Sequence, residues 1–172
     1  MCDGERTKIL QDSLDSFKEE HRELSDTWRH IETKAQGTAA IAGIFVASVF
    51  AFIRFLSEDS AQIEKVLLVF ALFFLGLSIL FSIAALWVRE VTAAPVGDTL
   101  HKLVSDLLDA GKAKTAENLD KLVRDQVSIW SDVNEEIHNT NHGKARHLFR
   151  AQVSLVLAIT TVAALALLRI LG

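Results

Sequence analysis

The chain has 172 residues, half of them hydrophobic, and its 22 acidic residues outnumber its 18 Lys and Arg to give a net charge of −4. All of these charged residues lie outside three uninterrupted runs, residues 35–53, 66–88 and 151–168. In a soluble domain, charges would interrupt every long apolar run, so this distribution excludes an ordinary soluble fold and predicts three membrane spans.

Residues 1–35 are expected to form a charged amphipathic helix. Apolar residues and one histidine recur at alternating steps of four and three, which is the pattern of a coiled-coil seam. Ser16 and Glu19 have capping-box spacing, so the helix starts either there or near residue 5. The seam positions are Leu10, Leu14, Phe17, His21, Leu24, Trp28, Ile31 and Ala35.

The first span is expected at residues 36–56, since nineteen uncharged residues make a helix of about 28 Å, close to the hydrocarbon thickness of about 30 Å. The sequence SEDS at residues 57–60 predicts an outer turn, assigned to residues 57–64. A second span is expected at residues 65–88, ending near Trp87 at headgroup height.

A stripe of small residues recurs at every fourth position of the first span, and the last span has a similar face. Small residues let helix backbones approach closely in lipid, where water does not drive association. The stripe therefore predicts a packing surface, either between the first and last spans of one chain or between subunits. The predicted packing residues are Ala39, Gly43, Ala47, Ala51, Ser154 and Ala158.

Residues 89–148 predict a second group of helices outside the hydrocarbon. Pro95 opens one helix, and a second follows the break AGKAKT at residues 110–115. The polar sequence NTNHG at residues 139–143 either interrupts this second helix or lies within a continuous one from Thr115 to Arg169. The last span is expected at residues 149–171. The predicted fold is an all-α membrane protein, with three transmembrane helices and a cytoplasmic helical bundle or coiled coil.

The distribution of Lys and Arg predicts the orientation. Fifteen of the 18 lie in residues 1–34 and 89–150, which three spans place on one side of the membrane. The positive-inside rule puts this side in the cytoplasm and the C-terminus outside the inner membrane. The same side carries 19 of the 22 acids, so its net charge of −4 offers no general attraction to nucleic acid.

The sequence lacks the patterns of common catalytic sites. It contains no CxxC motif, Gly-rich phosphate loop or recognisable nucleophile–base pair, so we expect a protein that is not an enzyme and has no cofactor. Glu135, His138 and His142 have the helical spacing of metal ligands, but a bundle site needs a second set, and solvated surface residues are expected. The spans hold no ionisable residue within their charge-free runs, which argues against coupled transport.

A group of cations is expected at the cytoplasmic face, near two tryptophans. Two interpretations stay open: anchoring to lipid phosphates, or an anion site in which the cations meet a nucleotide phosphate and a tryptophan stacks on the base. The candidate residues are Lys34, Arg89, Lys144, Arg146, Arg150, Trp28 and Trp130.

The chain resembles the Pycsar-type transmembrane effectors. The resemblance is carried by the sequence IETKA at residues 31–35 before a span, the short outer turn, the Pro95-led helices, and KARHL at residues 144–148 before the last span. It implies a small bacterial anti-phage membrane effector that answers a cyclic pyrimidine nucleotide from a partner cyclase and impairs the host membrane.

Three functional hypotheses follow. The first is a membrane effector that senses a cytoplasmic signal and impairs the inner membrane by oligomer rearrangement or pore formation. The alternatives are a scaffold that recruits a cytoplasmic partner through its coiled coil, and a small channel or transporter subunit. Besides membrane lipids, we expect other copies of the chain as partners, because the heptad face is longer than one short companion helix needs.

Overall fold

The structure is a computed structural model that describes residues 3–54, 62–87 and 115–171, and every regular element within these ranges is an α-helix. Helix α1 is Asp3–Ile53, α2 is Gln62–Leu86 and α3 is Thr115–Leu171. All three are long and apolar enough to cross a membrane. The predicted all-α fold with three spans is therefore confirmed. Residues 57–61 of the predicted outer turn and the Pro95-led helix lie outside the described residues, while residues 62–64 of that assignment belong to α2.

Helices α1 and α3 continue well beyond their membrane-spanning parts. Helix α1 includes Ser16, whose hydroxyl donates to the Asp12 carbonyl at 3.0 Å from within the helix, so the helix does not begin there. Helix α3 runs through residues 139–143 without a break, which settles the two interpretations of that sequence in favour of a continuous helix. Gly143 lowers helix propensity by only about 1 kcal/mol relative to Ala, and the chain's single proline lies in neither helix.

The chain divides into two compact units, which we call the charged unit (Met1–Trp28 and Arg89–Asn141) and the span unit (Arg29–Val88 and His142–Gly172). In the charged unit, the predicted seam of α1 packs against α3. Phe17 and Leu24 of α1 pair with Asn134 and Asn141 of α3 through hydrogen bonds. Both pairs are separated by 117 positions, so the two helices run parallel in this unit.

The span unit is a bundle of α1, α2 and α3 with two apolar clusters. We name them after one member each. The Leu75 cluster combines buried residues of all three helices: Ala42, Val49, Leu68, Leu75, Leu155, Ala158 and Leu165. The Leu148 cluster also draws on all three: Ile31, Ala35, Ala85 and Leu148. Large side chains such as Phe70, Leu80 and Val156 are exposed on the outside of the bundle, as a surface in contact with lipid requires.

Removing side-chain volume from the Leu75 cluster should destabilise the bundle. Leu75 is fully buried, and Leu75→Ala is expected to lower the free energy of unfolding by about 2–5 kcal/mol, because the lost contacts leave a cavity. The measurement is unfolding in mixed micelles. Leu80→Ala on the same helix is the matched control, since Leu80 is 63% exposed, and it should change the stability little. Equal losses from both substitutions would contradict this packing.

Candidate functional site

Two asparagines of α3 hold the seam of the charged unit. The Asn134 amide nitrogen donates to the Phe17 carbonyl at 2.9 Å and to the Glu20 carboxylate at 3.1 Å. One heptad later, the Asn141 amide nitrogen donates to the Leu24 carbonyl at 2.9 Å. Both asparagines are buried. A buried amide is favourable only where it finds its partners, so these bonds favour one parallel register of α1 against α3.

An aromatic contact lies on the same seam. The rings of His21 and Trp130 meet edge to face, with centroids 5.1 Å apart. Nearby, three buried polar atoms have no hydrogen-bonding partner among the described residues: His21 Nδ1, Asn134 Oδ1 and Asn141 Oδ1. The seam therefore combines two free amide acceptors with an imidazole nitrogen, which could receive hydrogen-bond donors from a polar ligand.

The sequence indicated His21 as a seam position and Trp130 as a candidate for stacking on a base, but it did not indicate the two asparagines. The asparagines lie near two apolar residues of α3, Val133 and Ile137, which are buried. A signal was present in the sequence. Asn134 and Asn141 are seven residues apart, Asn134 directly follows Val133, and Asn141 lies one helical turn after Ile137. A polar residue repeated at heptad spacing is a register signal.

The cations of the predicted anion site have different surroundings. Lys34, Arg146 and Arg150 are exposed, whereas Lys144 is buried. Arg89 lies outside the described residues. Trp28 and Trp130 are half-buried and belong to the charged unit, while the described cations belong to the span unit. The combination of these tryptophans and cations in one site stays a prediction.

Lys144 forms an ion pair with Glu32 within the span unit. The Lys144 ammonium donates to a Glu32 carboxylate oxygen at 2.7 Å, and the side chain of Lys144 is only 5% exposed. Burying an ammonium without a counter-charge is strongly unfavourable, so the carboxylate of Glu32 is what permits Lys144 to lie inside the bundle. Lys144 thus differs from the exposed cations with which the sequence grouped it.

The predicted packing faces also differ from each other. On α3, Ser154 and Ala158 are buried, and Ala158 belongs to the Leu75 cluster. On α1, Ala39 is half-buried, while Gly43, Ala47 and Ala51 are exposed. A Cβ atom added to Gly43 would meet nothing within 4 Å. Packing within the chain therefore uses the face of α3 but leaves most of the α1 stripe on the outside.

Most span hydroxyls bond their own helix. The hydroxyls that donate to the carbonyl four residues earlier, at 2.8–2.9 Å, belong to Thr38, Ser48, Thr160 and Thr161. Ser78 and Ser82 of α2 are fully buried, and their hydroxyls have no partner among the described residues. A buried hydroxyl without a partner costs about 1–3 kcal/mol, so these two serines lower the stability of the bundle.

The described residues include no converging metal ligands. No group of three or more His, Cys, Asp or Glu side chains within them could hold a metal ion. His138 and His142 are both exposed on α3, as is Glu135.

Breaking the buried ion pair should destabilise the span unit. Glu32→Gln is expected to cost about 2 kcal/mol, below the roughly 3–5 of a fully buried pair because the Glu32 side chain is 31% exposed. Adding Lys144→Met should recover at least half of the loss, because no buried charge is then left alone. Lys34→Met, at an exposed cation, is the control. Unfolding in micelles provides the measurement, and a double variant no better than Glu32→Gln would argue against the pair.

Comparison with known proteins identifies the family. No curated protein and no solved structure matches the chain significantly. The sequence model of the Pycsar effector protein domain matches residues 16–172, which include all of α2 and α3 and most of α1. This match covers the seam hydrogen bonds of Asn134 and Asn141, the ion pair and all three spans described above. The chain therefore belongs to the Pycsar effector protein family and is a membrane effector of anti-phage defence.

Proposed function

We propose that the chain binds a cyclic nucleotide on the cytoplasmic side of the inner membrane and then impairs that membrane by rearranging its three spans. The family match over residues 16–172 is the observation that carries this proposal. The three apolar helices supply the membrane part, and the long charged portions of α1 and α3 supply a part that reaches water.

The proposed orientation has the N-terminus and the residues before the last span in the cytoplasm. Fifteen of the 18 Lys and Arg then lie inside, in agreement with the positive-inside rule. The parallel packing of α1 and α3 supports an odd number of spans, since two parallel helices must cross in the same direction. In the span unit this parallel order is seen in the Glu32–Lys144 pair and in Arg169, which lies 5.1 Å above the ring of Phe52.

The exposed cations of the span unit are the proposed contacts for the nucleotide phosphate. Arg146 and Arg150 are one turn apart on α3 and exposed, so both guanidinium groups can reach an anion. Lys34 of α1 is exposed as well. Lys144 is not a proposed contact for the phosphate, because its ammonium is already paired with Glu32.

The coiled-coil scaffold is less well supported. A scaffold needs a free seam to bind its partner, but Phe17 and Leu24 of α1 already face α3 of the same chain. The transporter alternative is also less well supported, because the charge-free runs of the spans lack the ionisable residues that coupled transport uses.

Nucleotide-triggered leakage tests this function. Inverted membrane vesicles containing the chain and a self-quenched dye should release the dye on addition of 3′,5′-cyclic CMP or 3′,5′-cyclic UMP. Right-side-out vesicles should not, because the proposed cytoplasmic face is then enclosed. Arg146→Gln with Arg150→Gln should raise the half-maximal nucleotide concentration about tenfold or more, since charge-assisted hydrogen bonds are lost.

Arg22→Gln is the matched control, since Arg22 is an exposed arginine of the charged unit outside the predicted anion site. Its dose response should equal that of the unmodified chain. If neither cyclic nucleotide causes leakage, the proposed function is contradicted. Equal responses from all variants would show that Arg146 and Arg150 do not bind the phosphate.

We also propose that the exposed α1 stripe joins subunits. Gly43→Leu should reduce the crosslinked oligomer several-fold, because the added side chain separates backbones that approach closely. Since a Cβ atom at position 43 meets nothing within 4 Å among the described residues, folding of the single chain should be unaffected. Ala164→Leu, on an exposed part of α3, is the control. An oligomer unchanged by Gly43→Leu would show that subunits do not meet through this stripe.

A further inference from the structure

Four hydroxyl residues lie between the two apolar clusters of the span unit. On each helix, the nearest cluster residue on one side of these hydroxyl residues belongs to the Leu75 cluster. The nearest cluster residue on the other side belongs to the Leu148 cluster. All four are buried. We call these residues the hydroxyl layer: Thr38 between Ala35 and Ala42 on α1, Ser78 and Ser82 between Leu75 and Ala85 on α2, and Ser154 between Leu148 and Leu155 on α3.

The two serines of α2 differ from the other hydroxyls of the spans. Thr38 donates to the Lys34 carbonyl, and Ser48 outside the layer donates to the Ile44 carbonyl. Ser78 and Ser82 are 0% exposed and make no such bond among the described residues. Lipid tails have no hydrogen-bonding groups, so only the protein or a small polar molecule inside the bundle can satisfy them.

The chemistry of the layer selects water as that molecule. A serine hydroxyl both donates and accepts, and a buried water typically makes about three hydrogen bonds to such groups. The layer lies within the charge-free runs 35–53, 66–88 and 151–168, so an ion would find no counter-charge there. An apolar ligand would leave both hydroxyls unpaired.

We propose that the hydroxyl layer binds water when the spans rearrange, so that the leak begins there. Water entering either apolar cluster would gain no hydrogen bonds, whereas water entering the layer pairs Ser78 and Ser82. The layer is therefore the level of the bundle at which hydration is most favourable. This inference rests on the proposed function and adds the place where the membrane barrier fails.

Thiol accessibility tests the filling directly. In a Cys2→Ser background, which removes the only native cysteine, Ser82→Cys places a thiol in the layer and Ser48→Cys places one on an exposed part of α1. A charged methanethiosulfonate reacts only with thiols that water reaches. With 3′,5′-cyclic CMP or cyclic UMP, modification at position 82 should accelerate at least tenfold, while the rate at position 48 stays unchanged. A thiol at position 82 that stays unreactive in leaking vesicles overturns the proposal.

Removing the hydroxyls tests the resting state without any nucleotide. Ser78→Ala with Ser82→Ala should raise the melting temperature in detergent by about 4 °C or more, because two unpaired buried hydroxyls are lost. Ser48→Ala should leave it within about 1 °C. An unchanged or lower melting temperature in the double variant would show that the serines are already paired in the closed bundle, which also overturns the proposal.

The two experiments separate this inference from the proposed function. Both proposals are supported if the nucleotides cause leakage from the unmodified chain and the double alanine variant leaks at least tenfold more slowly. Ser48→Ala should then leak at the unmodified rate. If no nucleotide causes leakage, the proposed function fails, and the melting temperatures alone then decide whether Ser78 and Ser82 are unpaired in the closed state.

Discussion

Hydrocarbon offers no hydrogen-bonding partner, and the structure follows from that constraint. The described spans are α-helices, in which main-chain groups bond one another, and the exposed span hydroxyls of Ser48 and Thr160 bond carbonyls of their own helices. Lys144 enters the bundle only together with Glu32. Ser78 and Ser82 are exceptions, because their hydroxyls have no partner among the described residues. Their side chains are buried inside the bundle and do not face the lipid.

Packing in the two units depends on different interactions. In the charged unit, amide-to-carbonyl bonds from Asn134 and Asn141 add direction to a seam whose apolar contacts alone would tolerate other registers. In the span unit, small and aliphatic residues fill the space between helices, and packing depends on close contact because lipid is as apolar as the core. Hydrogen bonds thus select the register of the helices in the charged unit, whereas close side-chain contact holds the helices together in the Leu75 cluster of the span unit.

The sequence predicts the fold well because charge-free runs have few alternative explanations. It also identifies the seam of α1, since Ile31 and Ala35 are buried as expected. Features that depend on a partner helix were not predictable. The ion pair of Lys144 requires knowing that Glu32, 112 positions away, faces it across the bundle. The exposure of Gly43 depends on which face of α1 meets α2 and α3, and small residues are compatible with either face.

The seam of the charged unit is asymmetric in what each helix contributes. The asparagine side chains belong to α3, whereas α1 contributes the main-chain carbonyls of Phe17 and Leu24 and one side chain, the carboxylate of Glu20. Any amino acid at positions 17 and 24 retains a carbonyl, but replacing either asparagine with a residue that lacks an amide abolishes its bond. Sequence drift can therefore change these α1 positions without loss of the two bonds, while α3 is held to two side chains. At this seam, α1 is therefore the helix with more freedom to vary.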